Sequence, residues 1–378
     1  MIYLDYNATT PISEEVAGLM KKMIKNYGNP SSSHKLGIKA KKAVEEARNR
    51  AADMLNCSAE EIVFTSGGSE SNNMAIKGVA YTYHKKGNHI ITSQIEHPAV
   101  LEPCRFLEKN GYQITQLPVD KNGIVKLDKL KEAIREDTIL ISIMHANNET
   151  GSIQPIKEIA EIAAENNVLM HTDAAQSVGK IKTDVKEMGV DFLSLAGHKL
   201  YGPKGIGVLY IKNGIEIEPL IHGAGHESGR RAGTENVIHI AGLGKACEQA
   251  VELFAGKKNN SEVKTPAEIK ELRDYFQQQL KSIFAKRLKL NGHPKKRLPN
   301  TLNVSFLDFR GEQILDYLEG VAVSTGSACH EDSVEISSVL KAMGLSQREG
   351  LGAVRFSLGK YTIKSEIDQV LSQLKLMG

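Results

Sequence analysis

Lys199 lies in the stretch GHKLYGPKGIG, among glycines and between two apolar runs. A lysine in such a turn, once burial lowers its pKa, becomes a nucleophile able to condense with an aldehyde. Asp173 closes the apolar run VLMHTD, and Gln176 follows it closely. A carboxylate buried beyond a strand end needs a partner, and a protonated ring nitrogen would serve. In FTSGGSESNN an apolar run gives way to Gly67, Gly68, Ser69 and Glu70 at the start of a helical pattern. The free amides of a helix start, with a short hydroxyl beside them, form a cradle for phosphate. His97 in QIEHPAV and Asn148 in HANNET also follow apolar runs. The first offers an imidazole to the face of a planar ring, the second a hydrogen-bonding amide.

Each feature alone has an ordinary structural explanation. Ser69 can be a helix cap, Lys199 a surface lysine, Asp173 a cap, His97 a hydrogen-bonded core histidine and Asn148 a turn residue. Together they supply what pyridoxal 5'-phosphate requires: a lysine for its aldehyde, an anion for its ring nitrogen, a phosphate site and a group on the ring face. His198, next to Lys199, can bind phosphate or cap a strand.

The cysteines divide into two kinds. Cys329 lies in the Gly/Ser-rich stretch VAVSTGSACHEDSVE, which suits a thiol that must travel to its target. A small buried residue is the alternative there. Cys57, Cys104 and Cys247 stand in or beside helix-like patterns and read as structural. The four are scattered without a CxxC pair, which argues against a zinc knuckle or a disulfide framework. A reducing, cytoplasmic setting is expected. His222 and His226 have the spacing of a metal pair, but the glycines around them indicate a loop, so no metal is expected. Arg355 in AVRFSLG can clamp a carboxylate in two-pronged fashion or form a structural ion pair.

These residues need a scaffold that gathers strand ends. Strand candidates are EIVFTSG, HIITSQ, QITQLPV, TILISIMHAN, VLMHTDA, DFLSLAG and IGVLYI, alternating with helical patterns such as SHKLGIKAKKAVEEARNRAADML and PIKEIAEIAAENN. That alternation predicts an α/β fold with a mostly parallel sheet covered on both faces. Ligands of such folds collect beyond the carboxyl ends of the strands. The pattern breaks at the polar stretch AGKKNNSEVKTPAEIK. We therefore read residues 1–257 as a large domain and residues 258–378 as a smaller α+β domain carrying Cys329, with about the first 15 residues able to pack on the latter. A chain of 378 residues fits two domains. A net charge of +3 gives no reason to expect nucleic acid, and no apolar run reaches the ~18 residues that would suggest a membrane span. The N-terminus MIYLDYNATT lacks the character of a signal peptide.

A series of segments in fixed order, YLDYNATTP, YGNPSSSHKLG, FTSGGSESNN, EHPAV, MHANNETG, HTDAAQSVGK, GHKLYGPKGIG, GAGHESGRRAGTEN, LPNTLNVSF, STGSAC and VRFSLGKYT, resembles the class V, fold-type I cysteine desulfurases of the NifS/IscS type over nearly the whole chain. The resemblance implies an aspartate-aminotransferase-like fold with a seven-stranded sheet. It implies that Lys199 carries the cofactor, Asp173 pairs with the ring nitrogen, His97 stacks on the ring and Gln176 bonds the phenolic oxygen. Asn148 would lie near that oxygen and the substrate. Gly68, Ser69 and His198 would hold phosphate, Arg355 the carboxylate of L-cysteine, and Cys329 would receive sulfur as a persulfide. Thr234 would reach the phosphate of a neighbouring copy, implying a homodimer, and a sulfur-acceptor protein would follow. Where the family often has a serine, this chain has Ala196, one donor fewer. His330 directly after Cys329 also occurs in selenocysteine lyase, a close relative, so that activity is the alternative. An aminotransferase without persulfide chemistry and a non-enzymatic scaffold are the more distant ones.

Overall fold

A computed structural model describes residues 1–258, 260–325, 327–330 and 333–377; the side chains of 327–330 and 333–335 lie outside what is described. After β1 (Ile2–Tyr3), seven strands form one sheet: β2 (Ile62–Thr65), β3 (His89–Ser93), β4 (Gln113–Leu117), β5 (Thr138–Ser142), β6 (Leu169–Asp173), β7 (Phe192–Ala196) and β8 (Gly207–Ile211). Their order is β2-β8-β7-β6-β5-β3-β4. Only β8 runs against its neighbours. All seven strand candidates are found. Most are buried along their entire length because helices cover both faces, and for that reason they read as continuous apolar runs. β4, at the edge, is the partly exposed exception.

The covering helices carry their own start and stop signals. Lys35–Leu55 begins where the His34 side chain accepts from Gly37 N and ends at Asn56 in the left-handed conformation. Its face of Ala40, Val44, Ala47, Ala51 and Leu55 is buried at helical spacing.

A second, antiparallel sheet contains β9 (Leu288–Asn291), β10 (Thr301–Phe306), β12 (Ser324–Thr325) and β15 (Ala353–Ser357), in the order β12-β15-β10-β9. The helices Pro266–Phe284 and Lys364–Leu374 contribute to its separate apolar core. Phe276 meets Phe356, and Phe284 meets Phe306, edge-to-face at 5.0 and 4.9 Å. The N-terminal segment joins this half: β1 pairs with β11 (Val321–Ala322), and Leu4 enters its core. The chain then crosses to the large sheet, where Thr10 N donates to His198 O at 2.9 Å. The Gly/Ser-rich stretch around Cys329 has two short strands, β13 (Ser327–His330) and β14 (Ser333–Ile336), paired antiparallel. A polar, Gly/Ser-rich composition hides a hairpin of this length because it lacks the apolar alternation of a half-buried strand.

Candidate active site

The carboxyl ends of β2, β3, β5, β6 and β7 open onto one cavity of about 490 Å³. Lys199 stands in the single 3₁₀ turn that follows β7. Its amine donates to the backbone oxygens of Asn7 (2.6 Å) and Ala8 (2.8 Å). Burial, and next the charge of Arg355, lower its pKa to about 8, with Asp173 and Asp5 opposing. The lysine is therefore far closer to its nucleophilic form at neutral pH than a free side chain.

Asp173 is the last residue of β6 and is buried. Asn72 Nδ2 donates to its Oδ2 at 2.7 Å and Ala175 N to its Oδ1 at 2.9 Å. Two residues earlier on the same strand face, His171 is bracketed by Ser142 (2.8 Å) and Ser194 (2.9 Å) from the flanking strands. Burial holds its pKa down at about 3, so a neutral imidazole lies behind the carboxylate.

The phosphate-cradle segment takes the expected form. Gly67 caps the helix Gly68–Thr82 with φ 152 and ψ 178, a conformation essentially restricted to glycine. A side chain on Gly207 would come within 2.7 Å of the Gly67 backbone, so β8 and this turn fit only as a glycine pair. Gly68 and Ser69 line the cavity, and Ala196 packs against Gly68. Glu70 holds the turn shut: it accepts from Ser66 N at 2.7 Å and from both ends of Arg231.

His97 caps the helix Pro98–Glu108, its Nδ1 accepting from Ala99 N at 3.1 Å, and also lines the cavity. Burial lowers its pKa, Asp173 opposing and Lys199 adding. A ring whose Nδ1 accepts carries its proton on Nε2. His198 borders the cavity too, with Nδ1 3.1 Å from Thr9 Oγ1; burial, then Lys199, Lys204 and Lys180, bring its pKa to about 4. Its neutral ring would act on phosphate as a hydrogen-bond donor.

Gln176 and Asn148 complete the wall. Arg355 enters from β15 of the other sheet. It pairs with Asp5 at 2.6 Å and donates to Asn148 O at 3.1 Å, while its buried Nε has no partner among the described residues. Thr234 is not in this cavity; it is exposed on a segment that Arg231 ties to Glu70. The Cys329 side chain lies outside the described residues. The other three thiols are pushed up to about 12 by burial, which makes them poor nucleophiles.

Several residues of the site were not identified from the sequence. Asn7 is the centre of the network, bonded to Asn148 O, Thr301 Oγ1 and Ser357 Oγ and accepting from Lys199. Its only signal was the run of polar residues in YLDYNATTP. Glu96, next to His97, is buried and pushed up to about 8; it accepts from Ser93 Oγ and Met144 N, tying the ends of β3 and β5 together. No periodicity marks such a carboxyl.

The aminotransferase class-V family model matches residues 2–370. Cysteine desulfurase IscS of Dictyoglomus turgidum is 52% identical over 377 residues, 99% of this chain and 93% of that protein. Cysteine desulfurase IscS of Methanosarcina thermophila is 49% identical over 98% of this chain and 90% of its own length. Among solved structures, a NifS-like protein superposes with a TM-score of 0.91 at 39% identity, covering 100% of this chain and 98% of that one. SspA in complex with cysteine gives 0.83 at 39% identity, covering 96% and 100%.

Proposed function

The chain belongs to the aminotransferase class-V family, and from that premise we propose that it is a pyridoxal-phosphate-dependent cysteine desulfurase, converting L-cysteine to L-alanine and leaving the sulfur as a persulfide on Cys329. The observation that carries this reading is the cavity in which Lys199, Asp173, the Gly68/Ser69 helix start and Arg355 converge. The donor set fits the cofactor. Lys199 would hold the aldehyde, Asp173 the ring nitrogen and His97 the ring face. Gln176 and Asn148 would border the phenolic oxygen, with Gly68, Ser69 and His198 around the phosphate. Ala196 gives no hydroxyl there, so the helix start, Ser69 and His198 carry the anion. Bound pyridoxal phosphate supplies an electron sink for the carbanion left when the substrate Cα proton departs.

The protein's own groups do the rest. Arg355, whose buried Nε has no partner among the described residues, takes the substrate carboxylate. Lys199, its amine free once the substrate is bound, would remove the Cα proton and return a proton later. The Cys329 thiolate attacks the substrate sulfur; a sulfur–sulfur bond forms as the carbon–sulfur bond breaks, and the bonding pair passes to Cβ, which is then protonated to the alanine methyl. The persulfide sulfur then goes to an acceptor protein or small thiol. Two copies form a homodimer, with the exposed Thr234 of each reaching the other's phosphate site. Residues 1–257 act as the cofactor-binding domain and 258–378 as the domain that brings Arg355 and Cys329. Among the described residues no helix is long and apolar enough to cross a membrane. The test is the visible spectrum of the purified protein followed by sulfide and alanine assays on L-cysteine, with L-selenocysteine alongside, in the presence of excess dithiothreitol to reduce the persulfide and release its sulfur as sulfide. A yellow protein releasing both products in equal amounts is expected; a colourless protein, or one active only on selenocysteine, would contradict the reading.

A further inference from the structure

Lys180 lies one helical turn beyond Gln176, in the turn region after β6. Its Nζ donates to Gln176 Oε1 at 2.8 Å and to Asn7 Oδ1 at 3.1 Å. Burial, then the charges of Lys199 and Arg355, lower its pKa well below the usual lysine value. Among the described residues no carboxylate is a main contributor to holding its charge, whereas Asp173 and Asp5 oppose the lowering at Lys199. Charged or neutral, its nitrogen has N–H groups enough for both oxygens. A lysine kept here against like charges, with only amide oxygens to bond, is costly as packing alone.

Its two partners are oriented as a unit. With Oε1 held by Lys180, the other end of the Gln176 amide, Nε2, donates to Asn7 O at 2.9 Å. With Oδ1 held by Lys180 and by Asn300 Nδ2 at 2.9 Å, Asn7 directs its Nδ2 to Asn148 O and Thr301 Oγ1. Backbone carbonyls only accept, so every bond in the set agrees in sense. An amide NH₂ has two hydrogens. Asn7 O takes one of those on Gln176, and the other remains for an acceptor in the cavity that Gln176 lines.

We infer that Lys180 is a positioning residue of the active site, locking the Gln176 and Asn7 amides so that Gln176 presents a fixed N–H donor to an anionic oxygen of the bound cofactor. This rests on the desulfurase reading. Without Lys180, Gln176 Oε1 loses its donor, and the side chain is free to turn that oxygen toward the same anion. A donor on that oxygen favours its ionised form and lowers the pH at which the cofactor's visible band changes; loss of the donor raises it.

The test uses apo and holo forms of the wild type, Lys180→Met, Lys180→Arg, Gln176→Ala and the Lys180→Met/Gln176→Ala double variant. The readings are affinity for pyridoxal phosphate and the pH midpoint of the visible band. Lys180→Met is expected to weaken cofactor binding about tenfold and to raise the midpoint by about one pH unit, with Lys180→Arg restoring most of both. Because Lys180 acts through Gln176, adding Lys180→Met to Gln176→Ala is expected to change little. Wild-type behaviour of Lys180→Met, or full additivity in the double variant, would overturn the inference. Should Lys180→Met not fold, Gln176→Glu decides: it keeps the contact to Lys180 but has no N–H, so its midpoint is expected to rise, and an unmoved midpoint overturns the inference. A wild type that takes up no cofactor would overturn the desulfurase reading itself.

Discussion

The carboxyl edge of the seven-stranded sheet and the hairpin that carries Cys329 are built on opposite plans. At the sheet edge the chemical side chains end strands, cap helices or stand in the turn just after a strand, and further hydrogen bonds fix them: Asp173 by Asn72 and Ala175, Lys199 by Asn7 and Ala8, His97 by Ala99. The hairpin of β13 and β14 pairs with neither of the large sheets among the described residues. Its described moorings lie at its far end, where Ser337 Oγ donates to the half-buried Glu149 and Ile336 packs on Gly350. On the proposed function, the contrast separates two tasks. Proton transfer at Cα needs an amine and a ring held to within fractions of an ångström. Sulfur transfer needs a thiol that first meets the substrate and then meets an acceptor outside.

The largest effect expected from breaking one side of this contrast is at Lys199. Lys199→Ala is expected to lower turnover about a thousandfold or more and to abolish the lysine-linked visible band, read by sulfide assay and absorbance. Next is Arg355, the one described side chain of the second sheet that reaches the cavity. Arg355→Met is expected to raise the KM for cysteine by about tenfold to a hundredfold while the cofactor stays bound. It should also sharpen the electrostatic picture. Lys199 must be neutral to take up the cofactor, and its pKa of about 8 means that roughly a tenth is neutral at pH 7. Cofactor uptake by the apo protein is therefore expected to quicken as pH rises and to level off above about 8. Removing Arg355 takes away a charge that depresses that pKa, so the midpoint of the uptake profile should move upward. An unchanged midpoint would show that burial alone sets the lysine. The smallest effect is expected at Thr234: Thr234→Val should weaken cofactor retention about fivefold, as for one lost hydrogen bond, and only where the protein is dimeric by sedimentation.

The same contrast governs what the sequence disclosed. All seven strands of the large sheet were legible, because strands buried on both faces must be apolar throughout. Lys199, Asp173, Ser69 and His97 stood out as polar residues that follow or end such runs. Asn7, Lys180 and Glu96 did not. They act through amide orientation and buried hydrogen bonds that reach distant segments, and no local pattern encodes a contact between Asn7 and Asn300 or between Lys180 and Asn7. The hairpin around Cys329 is not legible in the sequence for a related reason: small polar residues form short strands without the alternation that announces a half-buried sheet.

The central claim is that the sheet edge performs the cofactor chemistry while Cys329 alone receives the sulfur. It is tested most directly by mixing the holo protein with one equivalent of L-cysteine, quenching and mapping persulfide by peptide mass, for the wild type and Cys329→Ala. The expected result is one added sulfur on the Cys329 peptide of the wild type, none on the peptides of Cys57, Cys104 or Cys247, and a Cys329→Ala protein that keeps its yellow colour but makes no alanine. Persulfide on another cysteine, or alanine formed at the wild-type rate by Cys329→Ala, would contradict it.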